Sequence, residues 1–270
     1  SAFHPDWLRP AFSVPGVDAV MTTRLGGFSA APFDSMNVRD GLGDGPSAVL
    51  CNQALLAGAI GVPPVYLNQV HGCRVVRLSE RDTYGEAPPI EADASVTTER
   101  GIACAIQVAD CLPVLMAAPG GVAAAHAGWR GLAAGVLEAT LVALCEATGC
   151  APDAVEVWLG PCIGARQFEV GDDVRRAFGH DQKAADRQAG ASAVRFAPLG
   201  RGQWLADLPM LARDRLGVKP LHMATLADGS VIFGSELKQL LAHPSLRREI
   251  DPLAIEDYLA WGYVPGTDRS

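Results

Sequence analysis

The segment Val108–Gly131, VADCLPVLMAAPGGVAAAHAGWRG, constrains this chain more than any other. Two apolar runs, LPVLMA and VAAAHA, flank Ala118-Pro119-Gly120-Gly121. Each run is too short for a typical helix and is bounded by turn residues, so the pair reads as an antiparallel hairpin. If the turn sets Ala117 opposite Val122, then Pro113 faces His126 and Cys111 faces Gly128. Side chains alternate along a strand, so Cys111 shares a face with Pro113. That makes Cys111 a diagonal neighbour of His126, with Cβ atoms about 7 Å apart. A slip of one residue would send the two to opposite faces.

A thiol and an imidazole at that distance can share a metal ion, but two ligands leave the site incomplete. His71, in NQVHG, is the best third ligand, because it ends a strand beside a glycine. Three protein ligands and one open position describe a catalytic zinc site. Zinc suits mixed thiolate and imidazole ligands and lowers the pKa of bound water toward about 7. Asp110 could orient a ligand or accept a substrate proton. Arg130 starts the next helix, where backbone N–H groups favour an anion. Arg24 ends the expected strand Ala19–Thr23 and could clamp the same anion. The plainer reading stays open at this point. A cysteine in an apolar strand is usually core, and a histidine at a strand end is often structural. Asp110 could cap the turn, and Arg130 could be a solvated helix residue.

Elsewhere the pattern alternates helices with short strands. PSAVLCNQALLAGAIGV is helical, with Pro46 and Ser47 at its start and Gly61 at its end. PVYLNQVHG and CRVVRL read as strands around the His71-Gly72 turn. ERDTYGEAPPIEAD is a polar loop. ASVTT, IACAIQVA and AVEVWLG are strand-like. RGLAAGVLEATLVALCEATG reads as one helix, with Leu132, Val136, Leu137, Thr140, Leu141, Leu144 and Cys145 on one stripe. FEVGDDVRRAFGH begins a helix near Gly171, residues 180–203 read as loop with a weak helix, and LADLPMLARDRLG is helical.

Charge and cysteine usage exclude several classes. The 270 residues carry a net charge of −8 and no basic block, so neither nucleic acid nor an anionic membrane is expected as a partner. The longest nearly uncharged stretch, Leu112–Trp129, is interrupted by proline and paired glycine and is no membrane span. The cysteines number 7, an odd count without a C-x-x-C pair. With no signal-peptide pattern at the start, a reducing, cytoplasmic setting is expected.

MTTRLGGFS, DSMNV, NQVHG, ADA, ADCLPVLM, AAAHAGWRGLAAGVLE, LGPCIG and FEVG occur in this order. Together, over roughly Val14 to Arg213, they resemble the laccase-domain (YfiH-like) family, also called multicopper polyphenol oxidoreductases. The resemblance implies a layered α-β-β-α sandwich of the α/β class. It implies zinc held by His71, Cys111 and His126. From the residues themselves, Asp110, Arg130 and Arg24 join Cys111 as the expected catalytic set. The implied activities are phosphorolysis of adenosine, inosine, guanosine and methylthioadenosine, and deamination of adenosine. The older family label implies copper-dependent phenol oxidation. The sequence weighs against a trinuclear copper cluster, because it has 6 histidines and no H-x-H pair. Copper at the His/Cys/His site stays an alternative to Zn2+.

The likeness ends near Arg213. The family's closing C-T-Y and F-F-S-x-R-R segments have no counterpart here. DRLGVKPLHMATLADGSVIFGSELKQLLAHPSLRREIDPLAIEDYLAWGYVPG instead resembles asparagine synthetase, at the end of its glutaminase domain. The expected division is therefore 1–213 for the laccase-like domain and 214–270 for a tail that replaces the usual C-terminus. The glutaminase nucleophile, an N-terminal cysteine, is absent from this fragment, so no amidotransferase activity is expected. Val218–Thr225 and Ser230–Phe233 read as a hairpin around Ala227-Asp228-Gly229, and Glu236–Ala242 as a helix. A third functional reading follows from the replacement: a nucleoside-binding chimera with impaired catalysis. The oligomeric state is not expressed in the sequence.

Overall fold

The computed structural model describes residues 3–84, 89–179, 195–216, 222–225 and 231–234. The chain divides into two compact units, Ser1–Gly164 and Ala165–Ser270. This division by packing falls earlier than the change of resemblance near residue 213.

The first unit is built on the hairpin. β5 (Leu112–Ala118) and β6 (Gly121–Ala127) pair antiparallel, with Ala117 opposite Val122 and Pro113 opposite His126. Pro119 and Gly120 form the turn, and Gly120 takes the φ of 91° that a tight connection needs. β2 (Val75–Arg77), β3 (Ala94–Thr97) and β7 (Glu156–Leu159) complete a five-stranded sheet in the order β2-β3-β6-β5-β7. β2 and β3 are parallel, whereas the other neighbours are antiparallel. A second, parallel pair joins β1 (Pro64–Val65) to β4 (Ala103–Cys104). The central strands are buried on both faces. Leu112, Val114, Met116, Ala123, Ala124 and Ala125 are nearly inaccessible, which explains their run of apolar residues without alternation.

Three α-helices belong to this unit among the described residues. α1 (Pro46–Ile60) starts on proline and ends on Gly61 at φ 75°, as the composition of its ends predicts. The expected long helix after His126 is instead two: α2 (Trp129–Ala134) and α3 (Val136–Thr148). Gly135 lies between them at φ 93°. The apolar stripe continues across this break, which is why the spacing alone reads as one helix. Leu132, Val136, Leu137, Thr140 and Leu144 are buried, and α3 packs over β6, β3, β2 and β5. Burial of each leucine contributes about 1.5–3 kcal/mol. Gly121 is fixed by this packing, since a Cβ there would lie 2.6 Å from Thr148 Cγ2.

Other expectations change in the structure. The strand at Ala19–Thr23 reduces to a single bridge between Leu8 and Met21. The two runs around His71-Gly72 do not pair with each other; β1 turns to β4 and β2 to β3. Of IACAIQVA only Ala103–Cys104 is strand. Short runs of β-branched residues suit any extended path, and the pairing partner is a long-range choice.

In the second unit, β8 (Glu169–Gly171) leads into α4 (Asp172–Ala177), close to the helix start expected at Gly171. β9 (Phe196–Gly200) and β10 (Gln203–Ala206) join β8 in the order β8-β10-β9. The expected loop over 180–203 is thus corrected at its end, where Phe196 is buried; residues 180–194 lie outside the described residues. Arg175 is almost wholly buried beneath Trp204, 4.1 Å from the ring centroid, and Trp204 Nε1 donates to Asp172 Oδ1 at 2.7 Å. α5 (Leu208–Leu216) follows as expected. β11 (His222–Thr225) and β12 (Val231–Gly234) pair antiparallel as the tail pattern predicts. Its turn and the helix expected at 236–242 lie outside the described residues. The fold is of the expected layered α/β class, with several sheets and helices.

Candidate metal centre

β6 delivers His126 to its buried end, and Cys111 immediately precedes β5 on the partner strand. The hairpin register alone therefore brings these two together. His71 comes from a third segment, after the bridge that joins Asn68 to Glu91. It holds φ 62°, a conformation that costs a non-glycine residue about 1–2 kcal/mol. The compensation comes from Asp93. Its carboxylate accepts the backbone N–H groups of Val70 (3.2 Å), His71 (2.8 Å) and Gly72 (2.7 Å). The same carboxylate lies 2.8 Å from His126 Nδ1. The carboxylate accepts, so Nδ1 carries the proton and His126 Nε2 presents its lone pair.

Three donors converge. Cys111 Sγ lies 3.7 Å from His71 Nε2, and the ligand atoms of His71, Cys111 and His126 all lie within 4.8 Å of one another. The two rings meet edge to face, 4.7 Å between centroids. Ordinary zinc bond lengths at a tetrahedral angle put sulfur and nitrogen about 3.5 Å apart, so the spacing of Cys111 Sγ and His71 Nε2 suits two ligands of one metal ion of that size. Gly128 leaves the space that the convergence requires. A Cβ there would sit 2.7 Å from His71 Cδ2 and 3.0 Å from Cys111 Sγ. Gly131, in α2, lets the helix approach the His71-Gly72 turn; a Cβ would meet Gly72 O at 2.6 Å.

The electrostatics support a metal-ready site. Burial alone would raise the carboxyl pKa of Asp93. The bonds from His126 and from the three backbone N–H groups outweigh it and hold the pKa below its usual value. Burial pushes His126 down, against the opposing pull of Asp93, so its imidazole stays neutral and able to ligate. Burial raises the Cys111 thiol, helped by the charges of Asp110 and Asp93. A bound cation reverses that balance and deprotonates the thiol.

The remaining expected residues stand differently. Asp110 is exposed beside Cys111, and its carbonyl accepts from Ile163 N at 2.9 Å. Arg24 is exposed and engaged by Asp34, with Nε 2.9 Å from the backbone oxygen and Nη2 3.2 Å from Oδ2. Arg130 is exposed and stacks 4.3 Å over the Trp129 ring. Its helix has six residues and no side-chain cap. None of the hydrogen bonds or ion pairs of Arg24 and Arg130 among the described residues reaches the three ligands. Sequence reasoning missed Asp93, Gly128 and Gly131. Asp93 had a readable signal: an acid between Ala92 and Ala94, at the head of the buried strand Ala94–Thr97, must have a partner when buried.

The family described as multi-copper polyphenol oxidoreductase laccase matches residues 18–230. A glutamine amidotransferase domain matches residues 206–270, in accord with the change of resemblance near the C-terminus. A purine nucleoside phosphorylase of Pseudomonas aeruginosa is 48% identical over 229 residues, covering 83% of this chain and 86% of that protein. The purine nucleoside phosphorylase YfiH of Escherichia coli is 43% identical over 216 residues, covering 78% and 81%. Among solved structures, a Neisseria meningitidis protein is 40% identical with a TM-score of 0.68, covering 78% of this chain and 82% of its own. YlmD from Geobacillus stearothermophilus is 30% identical with a TM-score of 0.69, covering 78% and 80%. The chain belongs to the multi-copper polyphenol oxidoreductase laccase family of YfiH-like proteins.

Proposed function

We propose that this chain is a zinc-dependent purine nucleoside phosphorylase that also deaminates adenosine at the same site, in the cytoplasm. The carrying observation is the convergence of His71, Cys111 and His126, joined to relatives named as purine nucleoside phosphorylases. When bound, zinc supplies Lewis acidity in a partly enclosed site.

In phosphorolysis a phosphate oxygen bonds to the sugar C1′ as the bond from C1′ to the purine breaks. The electron pair leaves with the base, which takes up a proton, and ribose 1-phosphate remains. In deamination the oxygen of water replaces the amino group at C6 and ammonia leaves. The chain's own groups do four things here. Asp93 fixes the tautomer and direction of His126 and the loop that carries His71. Cys111 supplies the soft ligand. Asp110, exposed beside it, exchanges a proton with the substrate. Arg24 and Arg130 offer charge to phosphate, although Arg24 must first loosen its pairing with Asp34.

Residues 1–213 carry this activity in our reading. Residues 214–270 replace a segment that elsewhere contributes tyrosine, serine and paired arginine, so turnover is weakened. No helix among the described residues is long and apolar enough to cross a membrane.

Metal analysis with chromatography of adenosine, incubated with and without phosphate, tests the reading. Adenine or hypoxanthine released only with phosphate supports phosphorolysis, and inosine formed without phosphate supports deamination. Phenol oxidation dependent on added copper, with no nucleoside turnover, would move the assignment to a laccase-like oxidase. Zinc without turnover would mark an impaired chimera.

A further inference from the structure

A third cation, beyond Arg24 and Arg130, is one that neither the motifs nor the hairpin single out. Arg39 lies in NVRD, on backbone clamped from several directions. Its N–H donates to Asn37 Oδ1 at 2.9 Å, and Asn37 Nδ2 donates back to Arg39 O at 3.1 Å. Val38 O accepts from Gln53 Nε2 at 2.8 Å and from Gln107 Nε2 at 2.7 Å. The guanidinium then reaches Gln107 Oε1, 3.3 Å from Nη1.

Gln107 ties this arrangement to the metal ligands. It exchanges two bonds with the buried Gln69: Gln107 N to Gln69 Oε1, and Gln69 Nε2 to Gln107 O, both 2.8 Å. Gln69 lies two residues before His71, and Gln107 four before Cys111. Arg39 thus stands where the two ligand-bearing segments are cross-linked.

Two features make this arginine an anion site rather than a structural tie. Its partner, Gln107, is a neutral amide, and among the described residues no carboxylate forms an ion pair with Arg39. Arg24, by contrast, is matched by Asp34. A partly buried arginine on a clamped backbone, with no ion-pair partner among the described residues, is suited to an oxyanion.

We propose that Arg39 binds the phosphate co-substrate beside the His71–Cys111–His126 centre, with the Gln69–Gln107 pair as its support. This rests on the phosphorylase reading and names the residue that makes that reaction phosphate-dependent. Deamination needs no phosphate and provides the internal control.

Arg39→Gln and Arg39→Lys are compared with the unaltered chain, each loaded with zinc and checked for zinc content. Inorganic phosphate is the probe, read by the shift in melting temperature and by the KM for phosphate in base release. Phosphate should raise the melting temperature of the unaltered chain and leave that of Arg39→Gln nearly unmoved. The KM for phosphate should rise roughly 10- to 100-fold in Arg39→Gln, the size of a lost bond to a charged group, with partial recovery in Arg39→Lys. The KM for adenosine in deamination should change much less. Equal phosphate shifts in all three proteins would overturn the proposal, as would an unchanged KM or an unaltered chain that phosphate does not stabilise. Phosphate binding that depends on Arg39, without any base release, would uphold the anion site and overturn the phosphorylase reading instead.

Discussion

Asp93 Oδ1 lies 2.8 Å from His126 Nδ1 and also accepts the backbone N–H of His71 at 2.8 Å. One buried oxygen therefore sets the direction of two ligands that are 55 residues apart in the chain. With Oδ2 taking the N–H groups of Val70 and Gly72, the carboxylate receives four donors.

Asp93→Asn replaces one of those acceptors with an NH2 group, which must face an N–H. Zinc affinity is expected to fall about 10- to 100-fold, the usual cost of losing such an outer partner. Competition against a chromophoric chelator measures it. Unchanged affinity would show that the ligands are held by packing alone.

Gly128→Ala and Gly131→Ala separate metal binding from stability. The Cβ at 128 meets the side chains of His71 and Cys111, which can swing aside at the expense of the metal geometry. At 131 it meets the backbone oxygen of Gly72. Gly128→Ala should lose zinc affinity with little change in the denaturation midpoint of the metal-free protein. Gly131→Ala should cost about 1–3 kcal/mol in urea unfolding, as overpacking does. Equal effects on both quantities in both variants would refute the distinction.

The break between α2 and α3 gives a third test. Gly135 at φ 93° should cost about 1–2 kcal/mol on replacement by alanine. Leu137→Ala, two residues on and fully buried, should cost about 2–5 kcal/mol. Urea denaturation ranks them; a stabilised Gly135→Ala would mean that one continuous helix is tolerated.

Much of the site was legible because its determinants are local. The Cys111–His126 neighbourhood follows from hairpin register, and register follows from a four-residue turn. The caps of α1 and α3 follow from Gly61 and Gly149. His71 was legible only as a candidate at a strand end beside Gly72, and the family motif strengthened it, because nothing in a local pattern says that the loop after Leu67 returns to the hairpin. Asp93 and Arg39 were not assigned roles, because each acts through partners supplied by other segments. Gly135 was silent for a different reason: the apolar stripe runs across the break with its spacing intact.

Acid should destabilise the metal-free protein in two stages. His126 is held below its ordinary value of 6.5 by burial. The unfolded chain then takes up that proton first, so stability falls as pH drops below 6.5 and continues to fall until the folded imidazole protonates. Asp93 is held below 3.8 because its hydrogen bonds outweigh the cost of burial. Its contribution is complete above that value and is lost as pH falls further, through the lowered folded pKa. Urea midpoints measured with a chelator between pH 8 and about pH 3 should show both stages. His126→Gln should flatten the first stage and retain some loss in the second. A first stage that persists undiminished in that variant would place the upper titration elsewhere in the molecule.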